Sequence, residues 1–345
     1  MEFFRKLPMK ENPKRMIPER IIQEISATSN IVLFTHTHPD GDALGSLFGL
    51  ANVLEALGKN VFCFLEEPVS HLYDFLPDIG KANTSLAEYR SFIAAAGENV
   101  ISIALDCGDE DRLGSSKREF LQSSPFVVID HHQSHEDFGT ARWVEMTKSS
   151  TGEMVYELAL ALGAPISYNC AYNLYVAICT DTGSFRYEGT RPRTMQIASE
   201  LLEMGVRPDE VCRHLYDNFS RERLKLMEMV LGTIRIVEAD QIAFMHVSNR
   251  MLEESGASLQ DVEGFIDFPR SLRSVKVAVL IKEANDGLVT VSLRAKGKCD
   301  VAEIAKLFEG GGHRNAAGFR CSGKSIEQVR LELTEVLSQA LKDEN

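Results

Sequence analysis

Residues 126–132, Phe-Val-Val-Ile-Asp-His-His, constrain this chain more than any other stretch. Phe126–Ile129 is an apolar run of strand length, and it delivers an acid and two imidazoles at its end. Packing alone does not call for that, because buried polar groups need partners and two desolvated histidines beside a carboxylate need several. The pattern recurs. Ile31–Phe34 is followed by His36, Asp40 and Asp42, Val100–Leu105 by Asp106, and Tyr175–Ile178 by Asp181. Taken singly, each cluster has an ordinary explanation. Asp106 and Asp181 suit turns or caps, Asp42 an N-cap, Pro39-Asp40-Gly41 a turn, and His131 with His132 a hydrogen-bonded core pair. One hydrolytic site holding two divalent metal ions explains all four together, since such a site needs hard oxygen donors mixed with imidazole.

The segments between these clusters set the fold class. Asp42–Leu57 carries Leu44, Leu47, Leu50, Val53, Leu54 and Leu57 on one stripe, which predicts a helix stopped at Gly58. Asn60–Leu65, 100–105 and 126–130 read as strands. Ser150–Leu162 reads as a helix capped by Ser150 or Thr151 and stopped by Gly163 and Pro165. Residues 171–180 have helical as well as strand character, which puts Asp181 at a helix end. This alternation predicts an α/β fold with a largely parallel sheet, helices on both faces, and ligands outside the carboxyl ends of the strands. Helices at 195–204, 209–216 and 221–231 suggest a helical linker. Beyond it lie two hairpin patterns, 233–237 with 242–247 and 275–282 with 288–294, the second about Asn285-Asp-Gly287. Helices at 300–308 and 325–341 complete a smaller, mixed α/β domain. The expected boundaries are 1–191, 192–231 and 232–345.

Composition narrows the function. Seven scattered cysteines in 345 residues, with no secretory pattern at Met1–Lys6, predict reduced thiols and a cytoplasmic protein. No apolar run approaches the ~18 residues that span a bilayer, so no membrane partner is expected. A net charge of -13 argues against gripping long duplex nucleic acid but leaves room for a short phosphorylated ligand. Charge is uneven: residues 270–324 carry 11 Lys/Arg against 5 Asp/Glu, a local excess of 6. That excess fits either a solvated sheet edge or a phosphate-binding cleft lined by Arg270, Arg273, Arg294 and Lys296. Gly310–Gly312, including Gly311 and Gly312, would offer bare N–H groups to an anion, with His313 and Arg314 adding donors. Arg186 would touch substrate phosphate or pair with an acid. Gly45-Ser46 would help to hold a phosphate at the start of a helix. His38 reads as a loop residue, His71 and His135 lack ligand spacing, Glu66-Glu67 reads as a solvated strand end, and Lys10–Arg20 as a lead-in to a helix at 18–26.

The order His-x-x-x-Asp-x-Asp, a strand-ending Asp, Asp-His-His, Thr-Asp-Thr-Gly and finally Gly310-Gly-Gly-His-Arg-Asn-Ala-Ala-Gly318 resembles the DHH phosphoesterase superfamily with its DHH-associated C-terminal domain. The layout most resembles the short nanoRNases, which are bifunctional oligoribonuclease and 3′-phosphoadenosine-5′-phosphate phosphatase proteins. The resemblance implies His36, Asp40 and Asp106 on one metal, and Asp42, Asp106, His131 and Asp181 on the other, with Asp106 bridging. It implies His132 facing the substrate phosphate and Asp130 orienting a histidine. Mn²⁺ is the expected ion, with Mg²⁺ or Co²⁺ as alternatives. The implied reaction is hydrolysis of short oligoribonucleotides, held in a limited cleft between the domains, to nucleoside 5′-monophosphates. The resemblance also allows a homodimer. Competing readings are a linear or cyclic dinucleotide phosphodiesterase, an inorganic pyrophosphatase, and a non-enzymatic nucleotide-binding protein.

Overall fold

The apolar runs and striped segments fold into strands and helices laid down in turn. A computed structural model describes residues 17–283 and 287–343, with His313 and Asp343 described by their backbone only. The chain divides into two units, Met1–Leu215 and Tyr216–Asn345. The first contains α1 (Glu19–Ala27), β1 (Asn30–Phe34), α2 (Gly41–Ala56), β2 (Asn60–Phe64), β3 (Ala82–Asn83), α3 (Leu86–Ala96), β4 (Val100–Leu105), α4 (Lys117–Phe120), β5 (Phe126–Asp130), β6 (Ala141–Val144), α5 (Thr151–Leu162), α6 (Tyr168–Asp181) and α7 (Pro192–Glu203), and α8 (Pro208–Tyr216) ends at the boundary.

All pairings in the first sheet are parallel, in the order β3-β2-β1-β4-β5-β6. The chain runs outward from β1 to β3, then returns to place β4 on the other side of β1. The order therefore reverses between β1 and β4, which is where open α/β sheets form their ligand crevice. Unbroken apolar strands require cover on both faces. Ile31, Leu33, Ile103, Leu105, Val127 and Ile129 pack with residues of α2, α5 and α6. Val32, Phe34, Ala104, Phe126 and Val128 face the other way, onto Tyr89 and Phe120. Each such side chain, fully buried, is worth about 1.5–3 kcal/mol. Glycine lets α2 and α5 close onto α6: a Cβ on Gly45 would lie 2.4 Å from the Asn173 carbonyl oxygen, and one on Gly152 2.5 Å from the Ala177 Cβ. Gly45 is thus a packing residue, and the expectation that Gly45-Ser46 holds phosphate gives way to that role.

The second unit holds α9 (Arg221–Leu231), β7 (Arg235–Val237), β8 (Ile242–Val247), α10 (Asn249–Ser255), α11 (Asp267–Ser271), β9 (Val277–Glu283), β10 (Leu288–Ala295), α12 (Val301–Lys306), β11 (Gly311–His313), β12 (Ala316–Ser322) and α13 (Ile326–Asp343). Its sheet runs β11-β12-β10-β9-β8-β7 and is antiparallel except between β8 and β9. β9 and β10 pair as the expected hairpin, and Asn285 and Asp286 of its turn lie outside the described residues. Val289, Val291, Leu293 and Ala295 of β10 enter the core with residues of α12 and α13, so Thr290, Ser292 and Arg294 take the opposite face. The helices of 192–231 do not stand apart as a linker. Ile197 and Leu201 of α7 and Val211 of α8 join the first core, whereas Leu226 and Val230 of α9 join the second. Each amphipathic stripe needs an apolar surface to cover it, and a free-standing linker would offer none.

Candidate metal centre

β1, β4 and β5 are neighbours, and each ends in donor side chains. Past β1 the chain carries His36 and turns at Pro39 into α2. Asp40 caps that helix, its Oδ1 accepting from the N–H groups of Asp42 at 3.0 Å and Ala43 at 3.1 Å. The helix start therefore belongs to Asp40, and Asp42 points inward, 2% exposed. Asp106 leaves β4 with φ 55°, in the left-handed region that non-glycine residues seldom occupy, and its N–H donates to the Ile129 carbonyl at 3.0 Å. Such backbone costs about 1–3 kcal/mol and persists where the surroundings hold it, characteristically at functional sites.

These elements bring all six expected ligands together. The ligand atoms of His36, Asp40 and Asp106 lie within 4.8 Å of one another, and so do those of Asp42, His131 and Asp181. Asp106 joins the two groups, with Oδ2 3.6 Å from His36 Nε2 and Oδ1 3.5 Å from His131 Nε2. His131 Nε2 is also 3.5 Å from Asp42 Oδ2 and 3.4 Å from Asp181 Oδ2. Separations of this size suit neighbouring ligands around one ion at roughly 2.0–2.2 Å. Carboxylate oxygens mixed with imidazole fit a hard or borderline divalent cation.

A second layer holds the donors still. The N–H groups at the start of α5 point at Asp42, Thr151 N to Oδ2 at 2.8 Å and Gly152 N to Oδ1 at 2.9 Å. Ser46 Oγ donates to Asp42 Oδ1 at 3.0 Å, and Thr151 Oγ1 to Asp106 Oδ1 at 3.0 Å. Each carboxylate oxygen has two lone pairs, so these bonds leave room for a metal. His131 Nδ1 donates to the Lys148 carbonyl at 3.3 Å, which leaves Nε2 as the ligating nitrogen. Lys148 is itself buried, with Nζ 2.8 Å from Glu157 and 3.4 Å from Glu153, and Glu153 accepts from the hydroxyls of Ser149 and Thr194. Asp130 is wholly buried. Its Oδ1 takes His132 Nδ1–H and its Oδ2 takes His135 Nδ1–H, both at 2.7 Å.

The charge balance of the cluster is unusual. Burial raises the Asp42 carboxyl well above the usual range, and Asp106 and Asp181 raise it further. Burial also pushes Asp181 up to about 6, with Asp106 and Asp40 adding to it against the pull of His131. Burial would lower His131, but Asp181, Asp106 and Asp42 outweigh it and raise the imidazole well above its ordinary value. Burial opposes ionisation of Asp130 too, and there His132 and His135 win, holding it well below the carboxylate range. Asp106 runs the other way: burial would raise it, but His131, His36 and His132 outweigh that and hold its carboxyl well below the usual range, so raised and lowered carboxyls stand side by side where cations would balance the charge.

The sequence reading missed part of this layer. Thr151, Gly152 and Ser46 stand out only once the helices are packed. His135 lacked ligand spacing because it holds a ligand's neighbour; a third histidine soon after Asp-His-His was the available signal. His38 stays outside the cluster, mostly exposed and 2.6 Å from Glu67. Glu66 accepts from the Ser115 N–H at 2.9 Å and hydroxyl at 2.6 Å, so Glu66-Glu67 is more than a solvated strand end. Arg186 donates to the Gly183 carbonyl at 2.6 Å, and among the described residues no acid is within ion-pair distance of it.

In the second unit, Arg294 lies on the sheet face that also carries Thr290, with Lys282 and Arg320 opposite Thr290 on β9 and β12. Burial lowers the Lys282 ammonium, and Arg294 lowers it further. Arg270 bonds Asp267 at 3.2 Å, Lys296 the Leu272 carbonyl at 2.6 Å and Arg314 the Lys298 carbonyl at 3.0 Å, while Arg273 is exposed. Gly311 and Gly312 sit in β11, where the glycines have a structural reason: a Cβ on Gly310 would lie 2.3 Å from the Gly318 carbonyl oxygen, and Gly312 has φ 138°. The side chain of His313 lies outside the described residues.

Comparison with known proteins agrees with this layout. The DHH family, N-terminal domain, matches residues 30–178, and the DHHA1 domain matches residues 241–343. A Thermus thermophilus protein named bifunctional oligoribonuclease and PAP phosphatase NrnA is 30% identical over 325 residues, covering 93% of this chain and 94% of its own. A Bacillus subtilis protein of the same name is 27% identical, covering 86% and 91%. Among solved structures, an exopolyphosphatase-related protein from Bacteroides fragilis superposes with a TM-score of 0.83 at 28% identity, covering 94% of this chain and 95% of that one. Among the described residues, no helix is long and apolar enough to cross a membrane.

Proposed function

Because this chain belongs to the DHH family of phosphoesterases, we propose that it hydrolyses short oligoribonucleotides to nucleoside 5′-monophosphates and dephosphorylates 3′-phosphoadenosine 5′-phosphate. The observation that carries the hydrolytic part is the position of Asp106, one oxygen toward His36 and the other toward His131. The substrate class rests on the names of the relatives that match nearly end to end. His36, Asp40 and Asp106 would hold one divalent ion, and Asp42, Asp106, His131 and Asp181 the other. Mn²⁺ is our assignment, because carboxylate mixed with imidazole suits it. When bound, the ions would supply Lewis acidity at the phosphoryl oxygens and a water deprotonated near neutral pH.

The chain's own groups do the rest. Asp130 keeps the His132 proton on Nδ1 and sets the plane of the ring, so Nε2 is the nitrogen presented to a phosphate oxygen or to the leaving hydroxyl. Lys148 fixes His131 in the same way through its carbonyl. Thr151 and Gly152 keep Asp42 and Asp106 from turning away as charge builds. Arg294, Arg273, Arg270, Lys296, Arg314, His313 and the Gly311-Gly312 backbone would bind the remaining phosphates, and Arg186 a phosphate nearer the metals. Seven free cysteines are consistent with a reducing, cytoplasmic setting.

The deciding experiment is an Mn²⁺-supplemented assay of pApA beside 3′-phosphoadenosine 5′-phosphate, cyclic di-AMP and pyrophosphate, with an Asp106→Ala control. Release of AMP from pApA that the control lacks is the expected result. Preference for the cyclic dinucleotide or for pyrophosphate would replace this reading.

A further inference from the structure

Arg112 carries no role in anything above, yet its guanidinium lies beside the metal cluster. It sits in the short 3-10 turn Glu110–Leu113 that follows β4. Its backbone is stitched to the His36 loop, its carbonyl accepting from Thr37 N–H at 2.7 Å. Its Nη2 is 2.8 Å from His36 Nδ1. Among the described residues no carboxylate lies within ion-pair distance of it. The acids next to it in sequence, Glu110 and Asp111, pair with Lys117 instead.

The contact with His36 is one that the imidazole cannot always make. A guanidinium only donates, so Nδ1 would have to accept. The Thr37 carbonyl is also 2.8 Å from Nδ1, and there Nδ1 would have to donate. One nitrogen cannot do both. His36 Nε2 faces Asp106 and the proposed metal position. When that nitrogen gives its lone pair to a cation, the ring proton sits on Nδ1 and goes to Thr37, as ligating imidazoles commonly arrange. Arg112 then faces an N–H, with which it can form no hydrogen bond. Its backbone is pinned beside the cluster, so the freed guanidinium stays within reach of whatever binds there. A phosphate suits it best, because its oxygens match the guanidinium fork.

We propose that Arg112 is a substrate-binding residue that grips the non-bridging oxygens of the phosphate bound on the His36 side of the site, and that it is released for this task when His36 takes its metal. The inference rests on the phosphoester reading above. Charge-assisted hydrogen bonds of this kind shift binding by about 10–100-fold.

The test compares wild type, Arg112→Ala and Arg112→Lys, each as the full chain with Mn²⁺, with thermal melts to confirm folding. For Arg112→Ala the expected result is a KM for pApA raised about 10–100-fold with kcat changed much less, and AMP inhibition weakened in parallel. Arg112→Lys, which keeps the charge but loses the fork, falls between. Mn²⁺ affinity without nucleotide, measured by calorimetry, stays equal or tightens. Unchanged KM and unchanged AMP inhibition would overturn the proposal. So would a fall in Mn²⁺ affinity with KM unmoved, since Arg112 would then serve His36 and not the substrate. If wild type cleaves no substrate, the phosphoester reading fails separately, and calorimetric binding of AMP to the Mn²⁺-loaded wild type and Arg112→Ala still decides the role of Arg112.

Discussion

The two units handle charge in opposite ways. In the first, Asp42, Asp106, Asp181 and two histidines are crowded together from strand ends and helices, and Asp42, Asp106 and His131 are each fixed by a further bond to a helix N-terminus, a hydroxyl or a carbonyl. In the second, Lys282, Arg294 and Arg320 lie on alternating strand positions of one sheet face, at the ends of long side chains. Arg294 bonds a neighbouring carbonyl, that of Leu293, at 3.1 Å. The contrast teaches that bond-breaking geometry and ligand affinity make different demands. Reaction requires donors placed to within about 0.5 Å, which packing and a second layer of hydrogen bonds supply. Attraction for a polyanion requires net charge and tolerates mobile side chains.

That contrast breaks most visibly at Asp106. Asp106→Ala removes the oxygen pair shared by both groups, so turnover should fall well beyond 100-fold, the upper end of what outer-layer partners alone are worth. Metal analysis should show fewer than two ions per chain in the variant. Activity near wild type would mean that the two clusters do not act as one site. Thr151→Val is a finer probe of the second layer. It deletes the bond to Asp106 but keeps the N–H to Asp42 and the β-branched shape. A loss of about 10–100-fold in activity or Mn²⁺ affinity is expected, with an unchanged melting temperature. An equal loss of melting temperature would show that Thr151 serves the fold and not the site.

The sequence made the first layer legible and the second mostly not. His36, Asp40, Asp42, Asp106, His131 and Asp181 each follow an apolar run, a local signal that needs no tertiary knowledge. Thr151 and Gly152 meet Asp42 from more than a hundred residues away. Lys148 contributes a backbone carbonyl, which any residue could supply and which no pattern marks. The helix start was read at Asp42 because cap and ligand residue types coincide, and Asp40 proves to hold the cap. In the second unit, Gly310–Gly312 read as a loop because β11, which takes in Gly311 and Gly312, is only three residues long. The stripes on α7, α8 and α9 were visible, but a stripe does not reveal which core it will cover.

Metal loading should sharpen the electrostatic side of the comparison. Asp42, Asp181 and His131 hold protons more tightly than free side chains do, so cations must displace protons to bind. The sign follows: apparent Mn²⁺ affinity rises with pH, and protons released per ion decline as pH passes the Asp181 value of about 6. Calorimetry in buffers of different ionisation enthalpy, over roughly pH 5–7, measures that release directly. Binding with no proton release across this range would contradict the raised proton affinities of Asp42, Asp181 and His131.

The smallest expected effect lies in the second unit. Arg294→Ala removes one cation from the face proposed to draw the substrate by charge. KM for a short oligoribonucleotide should rise about 1.5–5-fold while kcat holds, about 0.2–1 kcal/mol being typical of a single solvated contact. The decisive readout is salt. Removing one cation that neutralises a phosphate should flatten the dependence of log KM on log salt by about 0.7 for a single strand. Arg294→Ala should therefore shallow the slope, and Arg294→Ala with Lys282→Ala should shallow it again. Thr151→Val should leave it unchanged, because that residue positions a ligand and meets no phosphate. If the three variants shared one salt slope, the division between a geometric unit and an electrostatic unit would fail, and the basic face of the second sheet would be a solvated surface with no part in binding.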